Sequence, residues 1–414
     1  MSQDSDGNEM IMSLRDWRQA IRTPTAYRVG NSTLRIQTQF VSIIAIIGLI
    51  LLFVLYTFSP PYRHRTVNLP YNGDPVGHIL QPSVRNLSPP VTVQQDYYNA
   101  TYPLTPPVKT PKGVNYRIGV ISDMDKSSKS REEENTWISY YQKGYLSWNP
   151  KTRAVSVIWD SAPPVVLKSN LGEGGRGMEL SELITFNGKL IAVDDRTGVV
   201  YELQNDQVIP WVLLTDGDGR TPKGFKMEWA AVKDQFLYLG GLGKEWTSGT
   251  GELLNYNPQW IKTVSPTGEV SHHNWRDKYS KLRRSFGIEF PGYMIHEAVG
   301  WSAVHKRWFF LPRRASKNKY NEELDEKMGT NIILSADDNF EDIQVTYVGE
   351  VIPTHGFSSF KFLPDTDDQV IIALRTMETK EKIATFIMAF TVTGLILMPE
   401  TSIGNIKFEG FEFI

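Results

Sequence analysis

The 414-residue chain contains no cysteine. This absence excludes a disulfide framework, a thiol nucleophile, an iron–sulfur cluster and any zinc site with cysteine ligands. An excess of one sign of charge is also lacking, because the formal net charge is only −2. A chain with balanced charge offers no strongly basic surface, so we expect no nucleic-acid partner.

Three common site motifs are missing as well. The glycine-rich stretch 172–177 has no Gly-Lys-Ser/Thr sequence, so it is not a phosphate-binding P-loop. No Gly-x-Ser-x-Gly nucleophile elbow occurs. The Asp216-Gly-Asp218 segment resembles the start of a calcium-binding loop, but Met227 stands where such a loop ends in glutamate. The search for a site therefore turns to patterns that recur along the chain.

Long hydrophobic runs are scarce, and only Phe40 to Phe58 is strongly apolar. At the rise of an α-helix this run spans roughly 30 Å, the thickness of a bilayer core. A buried helix is the alternative, but flanking arginines and the following Ser59-Pro60-Pro61 sequence favour a membrane. The pattern predicts a cytoplasmic tail at residues 1–39 and a single transmembrane signal anchor at residues 40–58.

The orientation of this anchor rests on glycosylation sequons, because the arginines on its two sides nearly balance. Acceptor sequences at Asn86 and Asn99 follow the anchor, whereas one at Asn31 precedes it and argues against this orientation. We expect a type II membrane glycoprotein whose C-terminal bulk lies in the secretory lumen. Many prolines in residues 59–115 predict an extended stem between anchor and bulk.

The rest of the chain is organised around the pattern of residues 178–203. Two tight turns, Asn187-Gly188 and Thr197-Gly198, separate three short β-prone runs. The plan recurs at intervals of roughly 45 to 70 residues, the size of a propeller blade with its loops. Each copy begins with a serine or a glutamate, which we call the blade head. The blade heads are Ser181, Glu228, Glu297, Ser358 and Glu409.

The fifth copy is split between the two ends of the chain. The strand at Glu409 is followed by no second strand, and Tyr116 to Asp125 has the sequence of such a strand. Pairing the two ends closes the ring and leaves no open sheet edge there. Residues 116–414 are therefore predicted to form an all-β domain, a five-bladed β-propeller. Outer hairpins are expected at residues 144–160, 199–214, 253–273, 331–351 and 383–401.

In this fold the blade heads point toward one central channel. Three carboxylates that converge on an axis repel one another unless a cation lies between them. The heads offer only hard oxygen ligands, which favours calcium over zinc or copper. Heads that merely cap strands or face solvent at the channel mouth are the alternative. The pattern predicts that calcium binds to Ser181, Glu228, Glu297, Ser358 and Glu409.

Charged residues also collect where the second strands end. Acids and bases mixed around a cation suit a phosphate-bearing ligand, because arginine can fork two phosphate oxygens and a carboxylate can orient water. Trp246 could stack on a nucleobase. A solvated ring of surface ion pairs is the alternative. The residues of this second cluster are Asp123, Asp125, Asp194, Asp195, Lys244, Glu245, Arg313, Arg314 and Arg375.

Long segments that carry these residues resemble the calcium-activated nucleotidase family, the soluble apyrase type. The segments are GVISDMDKSS, GRGMELSELITFNGKLIAVDDRTGVVYE, KMEWAAVKDQFLYLGGLGKEWT, IHEAVGWSAVHKRWFFLPRRAS, GFSSFKFLP and FEGFEF. The resemblance implies a five-bladed propeller with a central calcium ion that hydrolyses nucleoside diphosphates, especially UDP and GDP. It also implies that the blade heads bind the calcium and that a calcium-dependent homodimer can form. The residues that it places at the nucleotide are Asp123, Asp125, Asp195, Lys244, Glu245 and Arg313.

We therefore expect a membrane-anchored, calcium-dependent nucleoside diphosphatase. The anchor resembles that of family members in the endoplasmic reticulum and Golgi, and secretion after cleavage is left open. Arg313 and Lys244 would hold the terminal phosphate, and Asp125 or Asp195 would orient the attacking water. The other expected substrate contacts are Asp123, Glu245, Trp246 and Arg375.

Two other functions remain open. The Asp123-Met124-Asp125 sequence is an Asp-x-Asp motif, which a metal-dependent glycosyltransferase could use. That chemistry is typical of an α/β fold rather than of this β-rich pattern. A propeller without catalysis, in which the ion only stabilises a binding surface, is the second alternative.

Overall fold

A computed structural model describes residues 25–29, 32–36, 47–48 and 98–414. In the predicted tail, β1 (Thr25–Val29) and β2 (Ser32–Ile36) pair as an antiparallel hairpin. The predicted anchor, apart from residues 47 and 48, and the predicted stem as far as residue 97 lie outside the described residues. Among the residues that are described, no helix has the length and apolar character needed to cross a membrane.

Residues 98–414 form five antiparallel blades around a central channel, which confirms the predicted propeller. The strands are β3 (Val108–Thr110), β4 (Gly113–Ser122), β5 (Trp137–Asn149), β6 (Ala154–Trp159), β7 (Val165–Ser169), β8 (Leu180–Phe186), β9 (Lys189–Asp194), β10 (Val199–Gln204), β11 (Gln207–Leu213), β12 (Trp229–Lys233), β13 (Phe236–Gly240), β14 (Trp246–Thr247), β15 (Leu253–Asn255), β16 (Trp260–Val264), β17 (Val270–Asn274), β18 (Tyr293–Ser302), β19 (Arg307–Ser316), β20 (Ile332–Asp337), β21 (Ile343–Tyr347), β22 (His355–Phe362), β23 (Val370–Glu378), β24 (Ile383–Thr391), β25 (Ile396–Gly404) and β26 (Phe408–Phe413). The helices are α1 (Arg276–Ser285) and α2 (Glu322–Asp325).

Each blade has four strands from the channel outward. These strands follow one another in sequence, except that the second blade contains an insertion and the fifth combines the two ends of the chain. The blades are β8-β9-β10-β11, β12-β13-β16-β17, β18-β19-β20-β21, β22-β23-β24-β25 and β26-β4-β5-β6. In the second blade, β14 and β15 form a separate ribbon between β13 and β16. The outer hairpin of that blade therefore begins at Trp260, whereas the sequence predicted a start at Leu253. The hairpin turn Asn187-Gly188 has φ values of 50° and 71°, as a two-residue turn of this kind requires.

The two ends of the chain close the ring as predicted. In the register of β26 with β4, Phe408 lies opposite Ser122 and Phe413 lies opposite Ile118. The innermost strands β8, β12, β18, β22 and β26 contact one another in that circular order. Apolar clusters fill the space between blades, and in one of them Trp308 packs edge to face against both Trp229 and Trp275.

The channel has two mouths. The near mouth lies at the N-terminal ends of the innermost strands, where the blade heads are. The far mouth, at their C-terminal ends, is a cavity of 460 Å³ over which the segment Tyr98–Tyr102 passes. This segment is fixed by two hydrogen bonds: the Asn99 N–H donates to Asn187 Oδ1 (2.7 Å) and the Tyr102 hydroxyl donates to Glu412 Oε1 (2.9 Å). The last part of the predicted stem is therefore packed on the propeller.

Candidate active site

All five blade heads lie at irregular positions of the innermost strands. The N–H of Glu228 donates to the Gly240 carbonyl (2.8 Å), although Gly240 is already paired with Trp229. The other four heads are skipped by the pairing register, so each is the extra residue of a β-bulge. These residues are Ser181, Glu297, Ser358 and Glu409. Because a bulge re-aims a side chain, the same local device turns every head toward the channel.

We call these five residues the head ring, and two basic side chains join its glutamates. Arg313 Nη1 donates to Glu409 Oε1 (2.8 Å) and also pairs with Glu297, which belongs to another blade. Lys226 Nζ lies 2.7 Å from Glu228 Oε1. All of these residues except Lys226 are at least nine-tenths buried. The three glutamates therefore line the same cavity at the near mouth.

The head ring fits a hard divalent cation. Burial raises the pKa of Glu228 to about 7 against the opposing charge of Lys226, and burial also raises the pKa of Glu409. Ser358 Oγ is buried and has no hydrogen-bond partner within the part of the chain that the structure describes. A cation with oxygen ligands would favour the ionised carboxylates and give the hydroxyl a partner. The donor set present is the set that calcium prefers.

A second acidic group lies beside the head ring, at the end of β4. Asp123, Asp125 and Glu179 each place an oxygen within 4.8 Å of the others, so this group could also hold a metal ion. Lys407 Nζ donates to Asp123 Oδ2 (2.7 Å) and to Asp125 Oδ2 (3.0 Å), and Arg176 Nη2 donates to Asp125 Oδ1 (3.2 Å). Burial favours protonation of Asp123, but the charge of Lys407 prevails and lowers its pKa to about 2.

Asp194 and Asp195 have different surroundings. Asp194 Oδ1 accepts the N–H groups of Arg196 (2.9 Å) and Thr197 (3.2 Å), so its carboxylate shapes the turn after β9. Asp195 lies in the cavity, where it pairs with Lys226. Its Oδ1 is buried and has no hydrogen-bond partner among the described residues. Asp195 therefore has a free acceptor in the site, and Asp194 has none to spare.

The near mouth opens into a cavity of 570 Å³, a volume typical of ligand sites. Ten carboxylates and eight basic side chains line it, so an added divalent cation would bring the lining to neutrality. The basic residues are Arg176, Arg196, Lys223, Lys226, Lys244, Arg313, Arg314 and Lys407. A cavity that offers this many cationic donors beside a cation site suits a phosphate chain.

Aromatic rings stand at the outer wall of this cavity. Lys244 Nζ lies 4.3 Å from the centroid of the Tyr320 ring, and Lys223 Nζ lies 5.0 Å from the centroid of the Trp246 ring. Arg314 Nη1 is buried and unpartnered within the described residues. The structure therefore places a predicted stacking residue, Trp246, and a predicted phosphate ligand, Lys244, at the same end of the cavity.

Two predicted substrate contacts lie outside the cavity lining. Glu245 is turned toward α1, where it accepts from Arg283 Nη1 (2.9 Å). Arg375 is buried beside Glu400 and donates to the His355 carbonyl (2.7 Å). Both side chains have their partners within the protein scaffold. The sequence neighbours of Glu245, Lys244 and Trp246, do line the cavity.

Replacing Arg375 by methionine should therefore cost stability and spare catalysis. Removing Arg375 leaves Glu400 with only the His355 ring as a partner, which costs at most about 3–5 kcal/mol. We expect a lower melting temperature and a kcat/KM for nucleotide hydrolysis close to that of the wild type. Calorimetry and steady-state kinetics on the same preparation check this, and a selective loss of kcat/KM would return Arg375 to the site.

Nine of the charged residues that line the cavity were missed by the sequence analysis. Three of them, Glu179, Lys226 and Lys407, each stand two positions before a blade head. The Lys-x-Glu sequence that occurs at both Lys226 and Lys407 was the signal that could have found them.

Fold and site together define a five-bladed propeller in which buried glutamates at the channel adjoin a cavity rich in basic side chains. Residues 124–414 match the family model described as Apyrase. The chain is 57% identical over 317 residues to soluble calcium-activated nucleotidase 1 of Rattus norvegicus, across 77% of this chain and 78% of the relative. It is 48% identical over 317 residues to an apyrase of Cimex lectularius, across 76% and 87%. The chain belongs to the apyrase family, which confirms the predicted resemblance.

Proposed function

We propose that the protein hydrolyses nucleoside diphosphates, with UDP and GDP preferred, to nucleoside monophosphate and phosphate in a calcium-dependent reaction. The observation that carries this proposal is that three buried glutamates from different blades line the base-rich cavity of 570 Å³. The apyrase family match supports hydrolysis, and the printed name of the rat relative supports calcium activation.

In the proposed mechanism the chain's own groups position the substrate and the water. Calcium held by the head ring would neutralise charge on the phosphate oxygens. Arg313 and Lys244 bind the terminal phosphate, and Trp246 stacks on the base. Asp195 orients the attacking water, because its Oδ1 is free. Asp125 is less suited to that role, since both of its oxygens are bound by Lys407 and Arg176.

The decisive test is phosphate release by the purified chain from UDP, GDP, ADP and UTP, each with calcium, with magnesium and with chelator. Turnover of diphosphates only with calcium is the expected result. A folded protein without turnover under any condition would favour a non-catalytic binding propeller. The glycosyltransferase alternative has lost its structural basis, because the Asp-x-Asp sequence lies in a β-propeller and not in an α/β fold.

We also propose that the propeller lies in the lumen of the endoplasmic reticulum or Golgi, attached through the predicted anchor at residues 40–58. The apolar run and the sequon at Asn99 support this location. In intact microsomes the propeller should resist protease until detergent is added, and digestion without detergent would contradict the proposal. A calcium-dependent homodimer is the corresponding expectation for assembly, checked by light scattering with and without calcium.

Lys244 should set an upper pH limit on substrate capture. Burial lowers the pKa of Lys244 to about 8, against the opposing charges of Asp325 and Glu245. The lysine is charged below this pKa and neutral above it, so its attraction for phosphate is lost as the pH rises. We expect kcat/KM for UDP to fall above about pH 8. In Lys244→Arg this alkaline fall should disappear, because arginine stays charged, and an unchanged profile would contradict the assignment.

A further inference from the structure

A buried polar network lies directly below the head ring, and neither the proposed catalysis nor the substrate contacts use it. Glu182 follows Ser181 in β8, and Ser359 follows Ser358 in β22. Both Glu182 and Ser359 are fully buried. Ser359 Oγ donates to Glu182 Oε1 at 2.9 Å and lies 3.2 Å from Oε2. The two serines of the ring are therefore each one residue away from a direct link between their strands.

This link crosses the channel between blades that are not neighbours. In the circular order of innermost strands, β26 lies between β22 and β8. The network includes β26 as well, because the Phe411 N–H donates to Ser359 Oγ (3.3 Å). Lys361 Nζ, from β22, lies 3.1 Å from Glu182 Oε1 and supplies the compensating charge. One carboxylate thus connects three strands that together carry three of the five ring residues.

The backbones are also held close at the same level. A Cβ atom at Gly410 would lie 2.5 Å from the Leu183 nitrogen and 2.7 Å from the Glu182 carbonyl carbon. No larger residue fits there without moving the strand, so β26 rests directly on β8 beside Glu409. The distance between β26 and β8 is therefore fixed by backbone contact. The position of β22 relative to them is fixed by the hydrogen bonds of Ser359.

Such support matters because the ring residues occupy bulges. A bulged residue has no regular ladder pairing to fix its position, and the ladder skips Ser181, Ser358 and Glu409. Neutral hydroxyls bind a cation weakly unless they are held at the right distance. We infer that Glu182 and Ser359 are positioning residues that set the spacing of Ser181, Ser358 and Glu409 for the cation. This inference rests on the proposed calcium site of the head ring.

The test measures calcium binding directly, by titration calorimetry on the purified full chain, and measures UDP hydrolysis in parallel. Glu182→Gln keeps the shape of the side chain but removes the charge opposite Lys361, and Ser359→Ala removes the bridging hydroxyl. We expect the Kd for calcium to rise by about 10-fold in Glu182→Gln, as when an outer partner of a metal ligand is lost. Ser359→Ala should shift it in the same direction. At saturating calcium, kcat should stay within about twofold of the wild type.

Glu400→Gln is the matched control. It also breaks an ion pair, with Arg375, but its carboxylate comes from β25, the outermost strand of the blade. It should lower the melting temperature and leave the calcium Kd unchanged. The inference is overturned if Glu182→Gln and Ser359→Ala behave like this control, with lower stability and an unaltered calcium Kd. If Glu182→Gln does not fold, Ser359→Ala still decides the question.

The outcomes separate this inference from the proposed function. A wild-type chain that binds calcium at the ring but releases no phosphate from any nucleotide would refute the hydrolase and leave the calcium titrations of the variants valid. An active, calcium-dependent wild type whose Glu182→Gln variant keeps the same Kd would refute the positioning role alone.

Discussion

Replacement of Arg313 by methionine is expected to reduce kcat/KM for UDP hydrolysis by on the order of 10³-fold. In the structure this guanidinium is buried, and it joins Glu297 and Glu409 while its other terminal nitrogen, Nη2, donates to Glu378 (2.8 Å). Methionine keeps the length and apolar stem of the side chain but removes both the fork for phosphate and the compensating charge. Steady-state phosphate release over a range of UDP concentrations measures the loss.

Two companion variants separate catalysis from stability. Arg375→Met removes an equally buried guanidinium outside the cavity, so it should lose stability without the 10³-fold loss of kcat/KM expected here. Arg313→Lys keeps the charge but not the bidentate geometry, and it should fall between Arg313→Met and the wild type. If Arg313→Met folds and retains activity within tenfold, the terminal phosphate is not bound by this residue.

The second large effect is expected for the double variant Glu228→Gln with Glu297→Gln. It removes two of the three carboxylates of the head ring and keeps the volume of both side chains. Calcium affinity depends on the number of charged oxygen ligands, so the Kd for calcium should rise by more than about 100-fold, beyond the loss of an outer partner. Calorimetric titration measures this, and calcium-dependent phosphate release should disappear with it.

A charge-matched control guards this result against a general electrostatic explanation. Glu252→Gln with Glu323→Gln removes the same charge from exposed positions, where the two residues pair with Lys319 and Lys380. This control should bind calcium and hydrolyse UDP as the wild type does. Retained calcium-dependent turnover in the ring variant would mean that calcium acts elsewhere, with the cluster of Asp123 as the next candidate.

The features that could be predicted from the sequence are those with a local sequence pattern. The Asn187-Gly188 turn fixes a hairpin, and the C-terminal strand lacks a partner that only the first β-strand of the propeller could supply. The blade heads were visible because each stands at the start of a hydrophobic run. What the sequence could not show is why the heads face the channel, since a bulge at Ser181 or Glu297 depends on pairing with another strand.

Two predicted substrate contacts, Glu245 and Arg375, lie outside the cavity lining, because sequence neighbours do not determine where a side chain points. Glu245 adjoins two residues of the cavity lining, Lys244 and Trp246, yet its carboxylate belongs to a pair with Arg283. That partner lies in α1, a helix that the β-rich pattern did not reveal. Arg375 lies on the second strand of its blade, as Arg313 does, but its partner Glu400 comes from the outermost strand of the same blade. In both cases the side chain is directed by an ion-pair partner that is distant in the sequence.

The segment Tyr98–Tyr102 lies over the far mouth of the channel, where Asn99 and Tyr102 are fixed to the rim. The candidate active-site cavity opens at the opposite end of the channel, so a ligand that enters this cavity from solution does not have to pass the segment.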